Sequence, residues 1–162
     1  MSKPEPKKRP LKFDNFDAMM SEVDSLMKNG YNSNGNWTLG QTCGHVALWM
    51  QYPIDGFPKP PIFIRMIFSV MRYTVGPGMK KRILRDGFKG GSPTAPESVP
   101  DSKIVSDEIG IEQLRQAVNR VENHTGELLA SPLFGPMDQA TLVKVSLLHA
   151  EHHLGYLEPC SR

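Results

Sequence analysis

The sequence is short of most features that would assign it quickly to a class. It has two cysteines in 162 residues, Cys43 and Cys160, too few for a disulfide framework. A reduced, cytoplasmic protein is therefore expected. The formal net charge is only +2, which gives no electrostatic reason to expect a nucleic-acid partner. No apolar run reaches the ~20 residues of a membrane span. The longest, 61–75, contains Arg65 and Arg72, so no membrane partner is expected either. The Lys- and Pro-rich N-terminus lacks the apolar stretch of a signal peptide. Alternating strand patterns are absent. What remains is 39% hydrophobic and 22% charged, which suits one domain with a real core.

Residues 1–12 carry Lys3, Lys7, Lys8, Arg9 and Lys12 among prolines, and read as a basic arm, solvated or strapped along the surface. Residues 13–159 read as a single domain. A first helix is expected over Phe13–Asn29, capped by Asp14, with Phe16, Met19 or Met20, Val23, and Leu26 or Met27 facing inward. A second begins at Thr38, where Thr38-Leu39-Gly40-Gln41 has the form of a capping box, and ends at Pro53. The run 61–75 reads as a buried helix or a flap. Met79–Arg85 reads as a short basic helix, and 87–102 as a long Gly/Pro/Ser loop of the kind that often lies over a site. A third main helix is expected over Asp107–Ala130, striped by Leu114, Val118, Val121, Thr125 and Leu128. A fourth, capped by Asp138, should run to about Leu157. The expected fold is all-α: a four-helix bundle whose long crossover, between helices two and three, carries an extra apolar helix.

Three of the five histidines fall in Leu147–His153. The stripe through Leu142 and Val145 continues to His149, then to His152 or His153, placing imidazoles where the pattern calls for core. His149 and His153, four apart, lie one turn apart on one helix face, a spacing at which two imidazoles can share a metal ion. His152 is a geometric competitor. His45 shares a face with Leu48 and Trp49 and is the natural third ligand from the second helix; His124, at the edge of its stripe, is a weaker fourth. Three imidazoles on one metal leave a coordination position open, as catalytic sites do. Such ligands suit zinc, nickel or iron, and do not choose among them. Occupancy should fall as pH drops through ~6.5, where free imidazole takes up a proton.

The familiar zinc helices are excluded. H-E-x-x-H would need Glu where Ala150 stands, and H-x-x-E-H would need Glu where His152 stands. Glu151 should project to the far side of the helix, and no paired Glu-x-x-His pattern for a di-iron site is present.

Trp37-Thr38-Leu39-Gly40-Gln41 followed by His45, the Pro132-Leu133-Phe134-Gly135 turn, and His149-x-x-x-His153 together resemble the DinB/YfiT-like superfamily, and within it an uncharacterised bacterial branch known only as a domain of unknown function. The resemblance covers about residues 11–159. It implies a four-helix bundle with a three-histidine metal site, here His45, His149 and His153, and so favours His153 over His152. It also implies kinship with metal-dependent transferases and isomerases that use low-molecular-weight thiols. The chain departs from many relatives in having Leu154 and Tyr156 where Arg and Gln often follow the last histidine, and in its insertion at 58–103.

Two functions are expected. The first is a metal-dependent enzyme acting on a small molecule, of the thiol-transferase or hydrolase type. Its catalytic residues are unassigned, with His152 the nearest candidate for a general base. The second is a non-catalytic metal- or ligand-binding bundle, a homodimer through the apolar 62–71 segment.

Overall fold

The starts of the four helices that build the core are set by short polar side chains that accept otherwise unpaired N–H groups. Asn15 accepts from Ala18 N–H at 2.8 Å and opens α1 (Phe16–Asn29). Asp14, the expected cap, lies one residue too early. Thr38 opens α2 (Leu39–Asp55) with the complete capping box: Gln41 N–H donates to its hydroxyl, and Thr38 N–H donates to the Gln41 side chain. Ser106 caps α5 (Asp107–Glu122), and Asp138 caps α6 (Gln139–Leu154) through Thr141 N–H. Between α2 and α5 lie α3 (Ile62–Thr74) and α4 (Gly76–Asp86). A two-stranded antiparallel ribbon joins β1 (Tyr31–Ser33) to β2 (Leu157–Pro159). The computed structural model describes residues 7–59, 61–90, 98–100 and 106–160; Lys3 of the basic arm and parts of the 87–102 loop lie outside the described residues.

The described chain is mainly helical, as expected. Its core comes from α1, α2, α5 and α6, with Leu157 closing one end. On α1 both Met19 and Met20 are buried, and Leu26 rather than Met27 faces inward. On α5 the core residues include Leu114, Val118 and Val121. Helix α2 packs most extensively on α5, and the two backbones nearly touch where Gly40 meets Gly110. The Asp107 carboxylate accepts Gly40 N–H at 2.7 Å and the Tyr31 hydroxyl at 2.8 Å, tying the start of α5 to the start of α2. Residues 7–13 form a strap. Arg9 N–H donates to Gly155 O at 2.7 Å, its guanidinium pairs with Glu22 at 2.6 Å, and Phe13 N–H donates to Glu151 at 2.7 Å.

Four further expectations need correction. Helix α6 ends at Leu154, not at about Leu157, because the chain turns at Gly155 and Leu157 pairs in β2. Helix α2 does not stop at Pro53 but carries it inside, ending at Asp55; beyond α5, Leu129 N–H donates to Pro53 O at 2.7 Å and holds that last turn. Helix α5 stops at Glu122, eight residues short of Ala130. Asn123 folds back on Asn119, and the Gln139 side chain takes Val121 O, so Thr125 lies outside the helix and Leu128 packs on the core from a loop. Of the two readings of the apolar run, a buried helix or a flap, the first is excluded, since α3 has no buried residue. Among the described residues no helix is long and apolar enough to cross a membrane.

Candidate metal centre

The capping box fixes where α2 begins, and His45 follows seven residues after Thr38, buried on the face turned to α6. Helix α6 brings up His149 and His153 one turn apart. One ring nitrogen from each of His45, His149 and His153 lies within 4.8 Å of the other two, and together they could hold a metal ion. The Nε2 atoms of His149 and His153 are 3.0 Å apart. His45 Nδ1 is 2.8 Å from Ser98 O. A carbonyl can only accept, so Nδ1 carries the proton and His45 Nε2 is left with its lone pair. A backbone acceptor that fixes the ring's tautomer in this way is the usual partner of a metal-bound histidine.

Aromatic rings enclose the group. Trp37 stacks on His153, with centroids 5.1 Å apart, and lies 4.7 Å from His45. Phe88 sits 5.1 Å from His149. Trp49 stands edge-on to His45 and His149, and its indole N–H is buried with no hydrogen-bond partner among the described residues. A buried donor without a partner beside converging lone pairs fits a site that receives a further ligand.

The electrostatics keep the rings neutral. Burial pushes His45 below the usual imidazole range, against the opposing effect of Ser98 O. Burial takes His149 well below it, and repulsion from His45 and His152 adds to this. His153 is lowered by burial first and by its neighbouring imidazoles next. Neutral imidazole is the form that binds a metal.

His152 stands apart from the three. Its Nδ1 lies 3.1 Å from Phe88 O and 3.1 Å from Lys8 Nζ, and burial, then the Lys8 charge, lower its pKa to about 4. His124 lies beyond the end of α5 and outside the histidine group. Glu151 points away, as expected, holding Phe13 N–H. The 87–102 loop does reach the site, through Phe88 and Ser98. Neither residue was singled out from the sequence. Ser98 acts through its backbone carbonyl, which carries no sequence signal, and Phe88 is a lone aromatic in a loop. Trp37 was legible only as part of a motif.

Residues 5–160 match the model of a family described as "Protein of unknown function (DUF1569)", and the chain belongs to that family. Comparison with curated proteins gives no match, and comparison with solved structures gives none.

Proposed function

We propose that this member of the DUF1569 family is a metal-dependent enzyme acting on a small molecule, with His45, His149 and His153 holding one divalent transition metal ion. The observation that carries the reading is the His45–Ser98 bond, which leaves His45 Nε2 free as a ligand beside the two α6 imidazoles. The donor set, three neutral imidazoles, suits zinc, nickel or iron. With three protein ligands the ion would keep an open position, where a bound water or thiol would lose its proton more readily. The protein's own groups do the rest. Ser98 O sets the His45 tautomer. Trp37 and Phe88 restrict water around the rings. The unpartnered indole N–H of Trp49 is a donor available to a ligand.

In this reading α1, α2, α5 and α6 form a four-helix bundle of the DinB/YfiT-like kind; thiol transfer follows from that kinship, and hydrolysis from the open metal position alone. A low-molecular-weight thiol is the co-substrate in the transfer version. A second reading, a non-catalytic binding module, is favoured by one observation: among the described residues no carboxylate joins the three histidines, and His152, the nearest candidate base, stands outside the group.

Elemental analysis of protein purified without an affinity tag tests the centre. One equivalent of a transition metal is expected. His45→Ala, His149→Ala and His153→Ala should each lose most of it, and His152→Ala should keep it. Full metal in His45→Ala would overturn the three-histidine centre. A loaded protein inert towards thiol and ester substrates would favour the binding module.

A further inference from the structure

The exposed face of α3 is the largest feature that the metal centre leaves unused. Ile62, Phe63, Met66, Ile67, Val70 and Tyr73 are each 55–76% exposed. At 100° per residue they fall within one arc of about 140° along α3. Ile64, Phe68 and Met71, on the opposite arc, are half-buried against the protein. The helix therefore lies on the surface with its inner side packed and a continuous apolar stripe turned outward. Single exposed apolar residues are ordinary, but a contiguous stripe of six marks a contact surface.

The charge around the stripe says what covers it. Residues 56–90 contain eight Lys and Arg and one acid, Asp86, a formal +7 in a chain whose total is +2, so the remainder is −5. Lys81 and Arg82 are exposed on one side of α4, away from its buried Ile83, while Arg85 beside them is paired with Asp86 at 2.8 Å. Beneath α3, Lys59, Arg65 and Arg72 line a cavity of about 280 Å³ together with Phe57, Phe68 and Pro132. Among the described residues none of these three cations is in an ion pair.

We propose that α3 and α4 seat the protein on the surface of an anionic lipid bilayer. The α3 stripe enters the boundary between headgroups and acyl chains. Lys81 and Arg82 face the phosphates, and the Lys59–Arg65–Arg72 cavity takes a headgroup. An apolar helix face bordered by cations and lying in the plane of the interface is the arrangement such surfaces select. The shortness that rules out a span does not bear on it, since a helix lying flat need not cross the bilayer. A second copy is disfavoured, because pairing through α3 would bring two +7 segments together. The inference does not depend on the metal reading.

Flotation or co-sedimentation of the full chain with phosphatidylcholine vesicles, with and without phosphatidylserine, tests it. Binding is expected only with phosphatidylserine and should weaken with added salt. The double variants Phe63→Asp/Ile67→Asp and Lys81→Glu/Arg82→Glu should each reduce it by about tenfold or more. All four residues are exposed, and an unchanged circular-dichroism spectrum and urea midpoint would show that the fold survives. Absence of binding at low salt, equal binding to neutral vesicles, or no effect of either variant would overturn the proposal. So would a dimer that Phe63→Asp/Ile67→Asp dissolves, without vesicle binding, since the stripe would then belong to a second copy.

Discussion

One methyl group at the crossing of α2 and α5 should be enough to destabilise the protein. A Cβ added at Gly110 would stand 2.0 Å from Gly40 O, against the 3.4 Å at which ordinary contact begins, a shortfall of 1.4 Å. A Cβ at Gly40 would stand 2.4 Å from Ser106 O. The obstructing atoms are backbone, so no side chain can rotate aside and the helices must part. Over-packing of a core costs about 1–3 kcal/mol, and a clash between two backbones belongs at the upper end. Alanine in place of glycine returns at most about 1 kcal/mol in helix propensity. Gly110→Ala should therefore lose about 2 kcal/mol, and Gly40→Ala a similar amount. Gly44, one turn further along α2, is the control. A Cβ there meets the tip of the Gln113 side chain at 3.0 Å, which can move. Gly44→Ala should be neutral or gain up to about 1 kcal/mol. Urea unfolding, compared by midpoint at constant slope, measures all three. Because His45 follows the crossing on α2, metal affinity should weaken in Gly40→Ala and hold in Gly44→Ala. A wild-type midpoint for Gly110→Ala, or equal damage from Gly44→Ala, would refute the close-approach account.

Three further outcomes are expected. Thr38→Ala should cost about 1 kcal/mol by opening the capping box, read as a lower urea midpoint. Asp107→Asn keeps the size but loses the charge that holds Gly40 N–H and the Tyr31 hydroxyl, and should cost about 1–2 kcal/mol, an effect absent if that contact is only a surface one. The histidines set a pH dependence. Their folded pKa values lie below the unfolded value of about 6.5, so the unfolded chain binds more protons as pH falls. The metal-free protein should have its full stability above pH ~6.5 and lose it progressively below, for His152 over the window from 6.5 down to about 4. The same lowering moves metal release to more acid pH than the ~6.5 expected of free imidazole. Release at pH ~6.5 in an equilibrium dialysis series would mean that the rings are not desolvated as described.

How much of this was legible in the sequence depended on the range of the interactions. The Thr38 box and the Asp138 cap were readable because cap and partner stand three residues apart. The end of α5 was not, since it depends on Gln139 reaching Val121 O from the next helix and on Leu129 pairing with Pro53. The stripe through Thr125 and Leu128 continued in the sequence after the helix had ended. Helix α3 was readable as a helix, but whether it was buried or exposed was left open. Periodicity shows that a face is apolar, while what covers the face depends on the rest of the fold. A composition that suits a core suits a docking surface equally well.

The histidine group divides along the same line. The four-residue spacing brought His149 and His153 together on paper, but it could not rank His153 above His152, which differs from it by one position on the same helix. In the structure the choice follows from contacts remote in sequence. His152 turns its Nδ1 to Phe88 O, beside Lys8, and Trp37 stacks on His153. Ser98 O then determines which His45 nitrogen keeps its lone pair. Burying three imidazoles costs solvation, and the rings cannot satisfy one another fully. With the Nε2 atoms of His149 and His153 at 3.0 Å, only one can carry a proton, while the lone pair of His45 Nε2 faces the same space. A cation accepts all three lone pairs at once, so metal binding should stabilise the fold as well as equip the site. If added metal raises the urea midpoint of the wild type but not of His45→Ala, the lone pair fixed by Ser98 is part of that stabilisation. If both rise equally, the two α6 histidines bind the ion without α2.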